Sequence, residues 1–296
     1  MKNLFDTDRS ICLIDAHSVI YRAYYAIPEL NSSSGIPTNA LYGFINILLK
    51  LIKEEEPYSV FVAFDSPEKT FRHESFKEYK ASRPKMPESL ISQILLIKEF
   101  LRLFNIDFYE MPGYESDDIV ASMAKQVVER DCDALILTGD FDLLQLINEN
   151  IKVLIMKKGI SEVEKYDLYK FLEKFEINPI QIVDMKALSG DSSDEIPGVK
   201  GIGKKTAIEI LKQFDTVEEL LQNIDRLKNK RYKELIYENK DKILFYKSIT
   251  LLDTNISMEI DIREKPWEDL TEDQKISLRK FLETLELKSI LKKLFS

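Results

Sequence analysis

Over the first 160 residues, short apolar runs alternate with longer stretches whose apolar residues recur at helical spacing. Ile11 to Ile14, Ser59 to Phe64, Ile106 to Tyr109, Ala134 to Leu137 and Lys152 to Met156 are rich in Val, Ile, Leu and Phe and bounded by polar or turn residues. That is the pattern of strands buried on both faces. Between them, Leu41 to Glu55, Glu88 to Phe104 and Ser116 to Arg130 read as amphipathic helices. The alternation predicts an α/β fold, a mostly parallel sheet flanked by helices. From about Pro179 the strand signal fades. Pro179 to Ser189, Lys204 to Phe214, Val217 to Gln222, Tyr232 to Leu244 and Glu272 to Leu285 then read as helices. A boundary is expected near residue 175, with an α/β domain over 1–175 and a helical region over 176–296. Apart from the loop Asn31 to Gly35, no repeat or low-complexity tract appears.

Composition narrows the class. The 296 residues are 44% hydrophobic and 31% charged, an ordinary globular balance. The longest apolar run, Ala40 to Ile52, is too short to span a membrane. Met1 to Ser10 lack the basic start and apolar segment of a secretory signal, so a cytoplasmic protein is expected. Two cysteines, Cys12 and Cys132, make neither a disulfide framework nor a thiolate metal cage. A net charge of −9 argues against a polyanionic partner only if the charges are evenly spread.

They are not. Asp15 ends the first strand run, Asp65 ends the second, and Asp140 and Asp142 follow the fourth. In an open parallel sheet the carboxyl ends of the strands form the ligand crevice. Glu115, Asp117 and Asp118 add acids at a helix start, and Asp191 and Asp194 add two more from Gly-Asp-Ser-Ser-Asp. A lone Asp after a strand is ordinarily a cap or turn, and acids in a first helical turn complement its dipole. Three strands ending alike are harder to assign to capping. No Lys or Arg accompanies these acids at the strand ends, and crowded carboxylates repel unless cations lie among them. Oxygen ligands without His or Cys suit Mg²⁺ or Mn²⁺. Two such ions about 4 Å apart would serve phosphodiester hydrolysis. His17, His73 and Trp267 receive no role.

Two basic segments complete the pattern. Pro197 to Ala207, with Gly198, Lys200, Gly201, Gly203, Lys204 and Lys205, joins two predicted helices by a glycine-rich turn. This helix-hairpin-helix, within about 179–214, would present amides and lysines to a DNA backbone without reading sequence. Phe71 to Lys85 interleaves Arg72, Lys77, Lys80, Arg83 and Lys85 with Phe71, Phe76 and Tyr79, a mixture suited to single-stranded nucleic acid. A solvated amphipathic helix interrupted by Glu74 and Glu78 is the alternative reading. Lys288, Lys292 and Lys293 read as a basic helix end.

Together, Ile-Asp-Ala-His-Ser-Val-Ile-Tyr-Arg-Ala-Tyr-Tyr-Ala, Thr-Phe-Arg-His-Glu-Ser-Phe-Lys-Glu-Tyr-Lys-Ala-Ser-Arg-Pro, Pro-Gly-Tyr-Glu-Ser-Asp-Asp, Leu-Thr-Gly-Asp-Phe-Asp and Gly-Asp-Ser-Ser-Asp-Glu-Ile-Pro-Gly-Val-Lys-Gly-Ile-Gly-Lys-Lys-Thr-Ala resemble the 5′ nuclease domains of bacterial DNA polymerases I. The wider group is the flap endonucleases, with a PIN-like core. The resemblance implies a structure-specific 5′ nuclease that cuts 5′ ends and flaps of DNA in primer removal and repair. It places Asp15, Asp65, Glu115, Asp117, Asp118, Asp140, Asp142, Asp191 and Asp194 on metal-site positions. It makes Lys80 and Arg83 catalytic residues of a helical arch at about 66–90, and Arg22 and Tyr79 DNA contacts, Tyr79 by stacking on a base; Arg72, from the basic segment, is expected to contact DNA as well. It implies that the hairpin can hold K⁺ through backbone carbonyls. Expected partners are flapped, nicked or 5′-overhang duplexes and RNA–DNA hybrid primers, engaged by a monomer. Ala16, Phe141 and Glu195 stand where Gly, Lys and Asn are usual. A PIN-domain ribonuclease would share the acids but has no use for the hairpin. A non-catalytic DNA-binding module would not keep all the acids, and a metal-dependent phosphatase would explain only Leu-Thr-Gly-Asp-Phe-Asp.

Overall fold

The computed structural model describes residues 9–157, 159 and 162–295; the first eight residues of the expected α/β domain lie outside these. Six strands form one sheet: β1 (Ser10–Asp15), β2 (Ser59–Phe64), β3 (Asp107–Glu110), β4 (Asp133–Thr138), β5 (Ile151–Met156) and β6 (Val163–Tyr166). Their order is β3-β2-β1-β4-β5-β6. All neighbours run parallel except β5 and β6, which are antiparallel. The chain winds outward from β1 through β2 to β3, then restarts at β4 on the other side. The strand order thus switches between β1 and β4, where a parallel sheet opens its crevice.

Strand residues alternate between two cores. Ile11, Leu13, Phe61, Ala63 and Ile136 face one side, packed on α5 (Ser116–Glu129). Cys12, Ile14, Val62 and Phe64 face the other, in one cluster with α1 (Ala16–Ala26), α2 (Asn39–Glu55) and α4 (Glu88–Leu103). Both faces are covered, which is why these strands read as unbroken apolar runs.

Beyond β6 come α6 (Leu168–Phe175), α7 (Gln181–Ser189), α8 (Lys204–Leu211), α9 (Val217–Gln222), α10 (Lys230–Glu238) and α11 (Lys240–Thr250). The helix expected over Tyr232 to Leu244 breaks at Asn239, whose ψ of 12° leaves the helical range. An extended strap then runs back along α5. Asp253 N–H donates to Asp118 at 2.9 Å, Ile256 N–H to Ser122 Oγ at 3.1 Å, and Arg130 reaches Ile260 O at 2.6 Å. The strap delivers α12 (Glu272–Thr284) to α4 and α13 (Lys288–Phe295) to α2. Leu278, Leu282 and Ile290 are fully buried in the same core as Ile47 and Ile97. The last 25 or so residues therefore belong to the sheet's helical layer, not to the helical region assigned to 176–296. Trp267 is part of that core.

The expected helical arch is also different. Residues 66–87 hold a single five-residue helix, α3 (Phe71–Ser75). After it the chain turns, passes Lys80 at φ 53° and contains no further helix until α4. Pro84 and Pro87 account for this, since each lacks an N–H and biases the residue before it toward extended backbone.

Candidate metal centre and nucleic-acid interface

Asp15 sits where β1 becomes α1, and both its oxygens are held. Ser116 Oγ donates to Oδ1 at 2.9 Å and Thr138 Oγ1 to Oδ2 at 2.8 Å. Asp65 leaves β2 beside it and accepts Ser116 N–H at 2.7 Å. The start of α5 is thereby pinned to two strand ends, which brings Asp117 into the same crevice as Asp140, just beyond β4. Asp15, Asp65, Glu115, Asp117 and Asp140 line one crevice of about 1070 Å³.

The electrostatics fit a cation site. Burial and the nearby Asp65 push Asp15 up to about 7. Burial, then Asp15 and Asp140, raise Asp117 well above the ordinary carboxylate range. Burial works upward on Asp65 too, but the His17 ring, the Ser116 amide and Lys80 outweigh it and hold it low. His17 Nδ1 lies 3.4 Å from Asp65 Oδ2, a contact the sequence gave no reason to expect. Acids that resist ionisation in each other's company gain most from a divalent ion between them.

A second group is joined to the crevice through Lys80, which meets both Glu115 and Asp194. Asp142, Asp191 and Asp194 can bring one oxygen each within 4.8 Å of one another. Asp191 and Asp194 stand on a loop closed by two glycines: Gly190 at φ 81° and Gly198 at φ 63°. A Cβ on Gly198 would fall 2.1 Å from Gly190 N, so the two backbones touch only because neither carries a side chain. Oxygen-only sets of this kind suit a hard divalent cation. Asp15, Asp65, Asp117 and Asp140 on one side and Asp142, Asp191 and Asp194 on the other are the residues able to hold such ions.

Cations that the strand ends lack come from elsewhere in the fold. Lys186 of α7 lies against both Asp142 and Asp191, and holds Asp191 low against the effect of burial. The sequence reading missed it, although a lone lysine in the otherwise buried α7 was a signal that it had a partner. Lys80 Nζ donates to Glu115 Oε1 at 2.9 Å, and Arg83 to Asp194 Oδ1 at 3.0 Å. Both predicted catalytic cations thus hang over the crevice, with Arg83 half exposed. Phe141, where the family resemblance leads one to expect Lys, has Lys157 Nζ 5.1 Å from its ring centre, so a positive charge stands next to that position. Arg22 also lines the crevice and donates to the Lys157 carbonyl.

Three expectations fail on burial. Asp118 is fully buried and holds Arg72 through bonds of 2.6 and 2.7 Å, away from the metal crevice. Arg72 is 1% exposed and also donates to Ile249 O and Leu251 O, so it cannot meet DNA. Tyr79 is 3% exposed, with its hydroxyl donating to Glu115 Oε2 at 3.0 Å, and has no free face for a base. An isolated reading of "basic plus aromatic" cannot separate a residue that faces a ligand from one that ties three elements together.

The hairpin stands apart from the crevice. Gly201 takes φ 99° in its turn, Gly203 caps α8, and no side chain satisfies the first amides of that helix. Lys200, Lys204 and Lys205 are exposed beside them.

The chain matches the family model described as 5′-3′ exonuclease, N-terminal resolvase-like domain, over residues 10–176. It matches that of the C-terminal SAM fold over residues 177–273. It is 39% identical over 287 residues to the 5′-3′ exonuclease of Aquifex aeolicus, covering 96% of this chain and 94% of that protein. It is 42% identical over 274 residues to DNA polymerase I of Bacillus subtilis, covering 93% of this chain but 31% of that protein. The chain thus spans about a third of the length of the curated polymerases it matches. In fold it resembles the T5 5′-exonuclease solved with zinc, at a TM-score of 0.66 and 22% identity, covering 96% of this chain and 99% of that one. The catalytic core of Rad2 in complex with a DNA substrate superposes at a TM-score of 0.61 and 17% identity, covering 97% and 93%. With both halves matched in order and a full-length relative at this identity, the chain belongs to the 5′-3′ exonuclease family.

Proposed function

We propose that the chain hydrolyses phosphodiester bonds in DNA at 5′ ends and at the base of 5′ flaps, using two or more Mg²⁺ or Mn²⁺ ions. The observation that carries this reading is the convergence of carboxylates from three strand ends and the start of α5 on one crevice, overhung by Lys80 and Arg83, which also meet Asp194 of the neighbouring acidic loop. Divalent ions held there supply Lewis acidity for the attack of water on the phosphodiester. The protein's own part is positional and electrostatic. Lys80 and Arg83 would exchange their carboxylate partners for the oxygens of the phosphate and steady its charge. Lys186 keeps Asp142 and Asp191 from repelling each other before ions arrive. The hairpin, with its unsatisfied amides and Lys200, Lys204 and Lys205, would grip the duplex backbone and is the candidate K⁺ site. Nicked, flapped or overhanging duplexes and RNA–DNA primers are the proposed substrates, in replication and repair, for a monomer in the cytoplasm associated with the nucleoid.

Cleavage of a 5′-labelled flap duplex with Mg²⁺ or with EDTA, by the wild type and Asp140→Ala, tests this reading. Mg²⁺-dependent cuts near the junction, lost in the variant, are expected. Binding without cutting in Mg²⁺ and in Mn²⁺ would leave only a DNA-binding module.

A further inference from the structure

The two groups of acids are not in the same electrostatic state. Asp15 and Asp117 are raised by burial and then chiefly by other acids. The second group already holds cations of its own. Lys186 Nζ lies against Asp142 and Asp191, and Arg83 and Lys80 lie 3.0 and 3.8 Å from Asp194 Oδ1. Asp142, Asp191 and Asp194 each have an oxygen within 4.8 Å of the others. An ammonium therefore stands against two of the three carboxylates that a divalent ion would share. The fold builds Lys186 into this place. Its side chain is 11% exposed, and those of Asp142 and Asp191 are 10% exposed. It leaves α7, a helix buried along almost its whole length, which packs on the 3-10 helix Asp142–Leu146. Gly190 N–H donates to Lys186 O at 2.8 Å, so the loop bearing Asp191 starts from the same turn.

Resting on the nuclease reading, we propose that Lys186 is the resident cation of the Asp142–Asp191–Asp194 group, and that a divalent ion occupies the group only by displacing its ammonium. A single charge balances the acids part-way, and Asp191 stays low despite its burial. The fold can then tolerate three close carboxylates without metal, where unopposed they would repel. The same ammonium is an obstacle to metal. A hard divalent ion draws its oxygens to about 2.0–2.6 Å. A second cation on those carboxylates both repels it and occupies their lone pairs. Displacement needs no change of backbone, because lysine has a flexible four-carbon stem and its ammonium is strongly hydrated once released. Lys186 thus sets the concentration of divalent ion at which the second group fills.

The test titrates the whole chain with Mn²⁺ in the absence of DNA and reads the free ion from its electron paramagnetic resonance signal. Lys186→Met should bind as many ions as the wild type, the weakest of them roughly tenfold more tightly. Lys186→Arg keeps the charge and should match the wild type. Lys186→Gln should match Lys186→Met, and supplies the comparison where the methionine variant does not fold. Adding Asp191→Asn to either neutral variant should abolish the gain. An affinity that is unchanged or lowered in the neutral variants, or a gain that survives Asp191→Asn, overturns the resident cation. Cleavage of a flap duplex by the wild type is scored in parallel. Tighter Mn²⁺ binding by the neutral variants, with no cleavage by the wild type, retains the displacement and removes the nuclease reading, so the two failures are distinct.

Discussion

Single residues carry opposite consequences here depending on what surrounds them. Asp117 has acidic neighbours that raise it, whereas Asp118, the next residue, is matched by a guanidinium. Asp117→Asn removes repulsion, so the metal-free protein should melt a few degrees higher at pH 8 while its cleavage falls by orders of magnitude. A lower melting temperature would mean that Asp117 is a structural acceptor. Arg72→Ala strands a buried carboxylate, and a loss of about 3–5 kcal/mol in urea unfolding is expected. Were Arg72 a DNA contact instead, stability would hold and only affinity would drop. The acids after the strands were legible because residue type and position both point to one edge of the sheet. Burial was not legible, and Arg72, Tyr79 and Asp118 were misread for that reason.

At the scale of elements, the segment between β2 and α4 lies over the loop that carries Asp191 and Asp194 and is fastened to it. Glu195 Oε1 accepts both Ser82 N–H and Ser82 Oγ–H at 2.6 Å, and Lys80 N–H donates to Asp194 O at 3.3 Å. Glu195 stands where the family resemblance leads one to expect Asn, whose shorter side chain would have to reach one methylene less far to Ser82. Glu195→Ala should leave the melting temperature nearly unchanged and expose residues 77–85 to faster limited proteolysis. Unaltered cleavage by protease would show that the segment is held by Lys80 and Arg83 alone. Most helices and five of the strands were readable from periodicity. α1 was not read, because its start is hidden in the same acid that ends β1. Strand β6, one exposed edge of four residues, gave too short an alternation to recognise.

For the whole molecule, charge crowding links stability to pH and to metal. The folded Asp15 titrates near 7 against an ordinary value of 3.8. A raised carboxyl favours the folded state while it is protonated, and that advantage is lost as pH rises from about 4 through 7. Above 7 its ionised form opposes folding in full unless a cation compensates. Mg²⁺ or Mn²⁺ should therefore raise the melting temperature more at pH 8 than at pH 5.5. A shift independent of pH would place the bound ion away from Asp15.

What the sequence determined by itself was the sheet, the hairpin and the strand-end position of the acids. Those depend on local periodicity, turn residues and order along the chain. Tertiary structure alone decided which charges meet. Lys186, Lys80 and Arg83 reach the acids from α7 and from the segment before α4, and the strap returns α12 and α13 to the sheet. Such pairings join positions more than 100 residues apart, as Arg83 joins Asp194, and no local pattern encodes them. They follow from burial, which requires each charged group removed from water to find a partner wherever the fold supplies one.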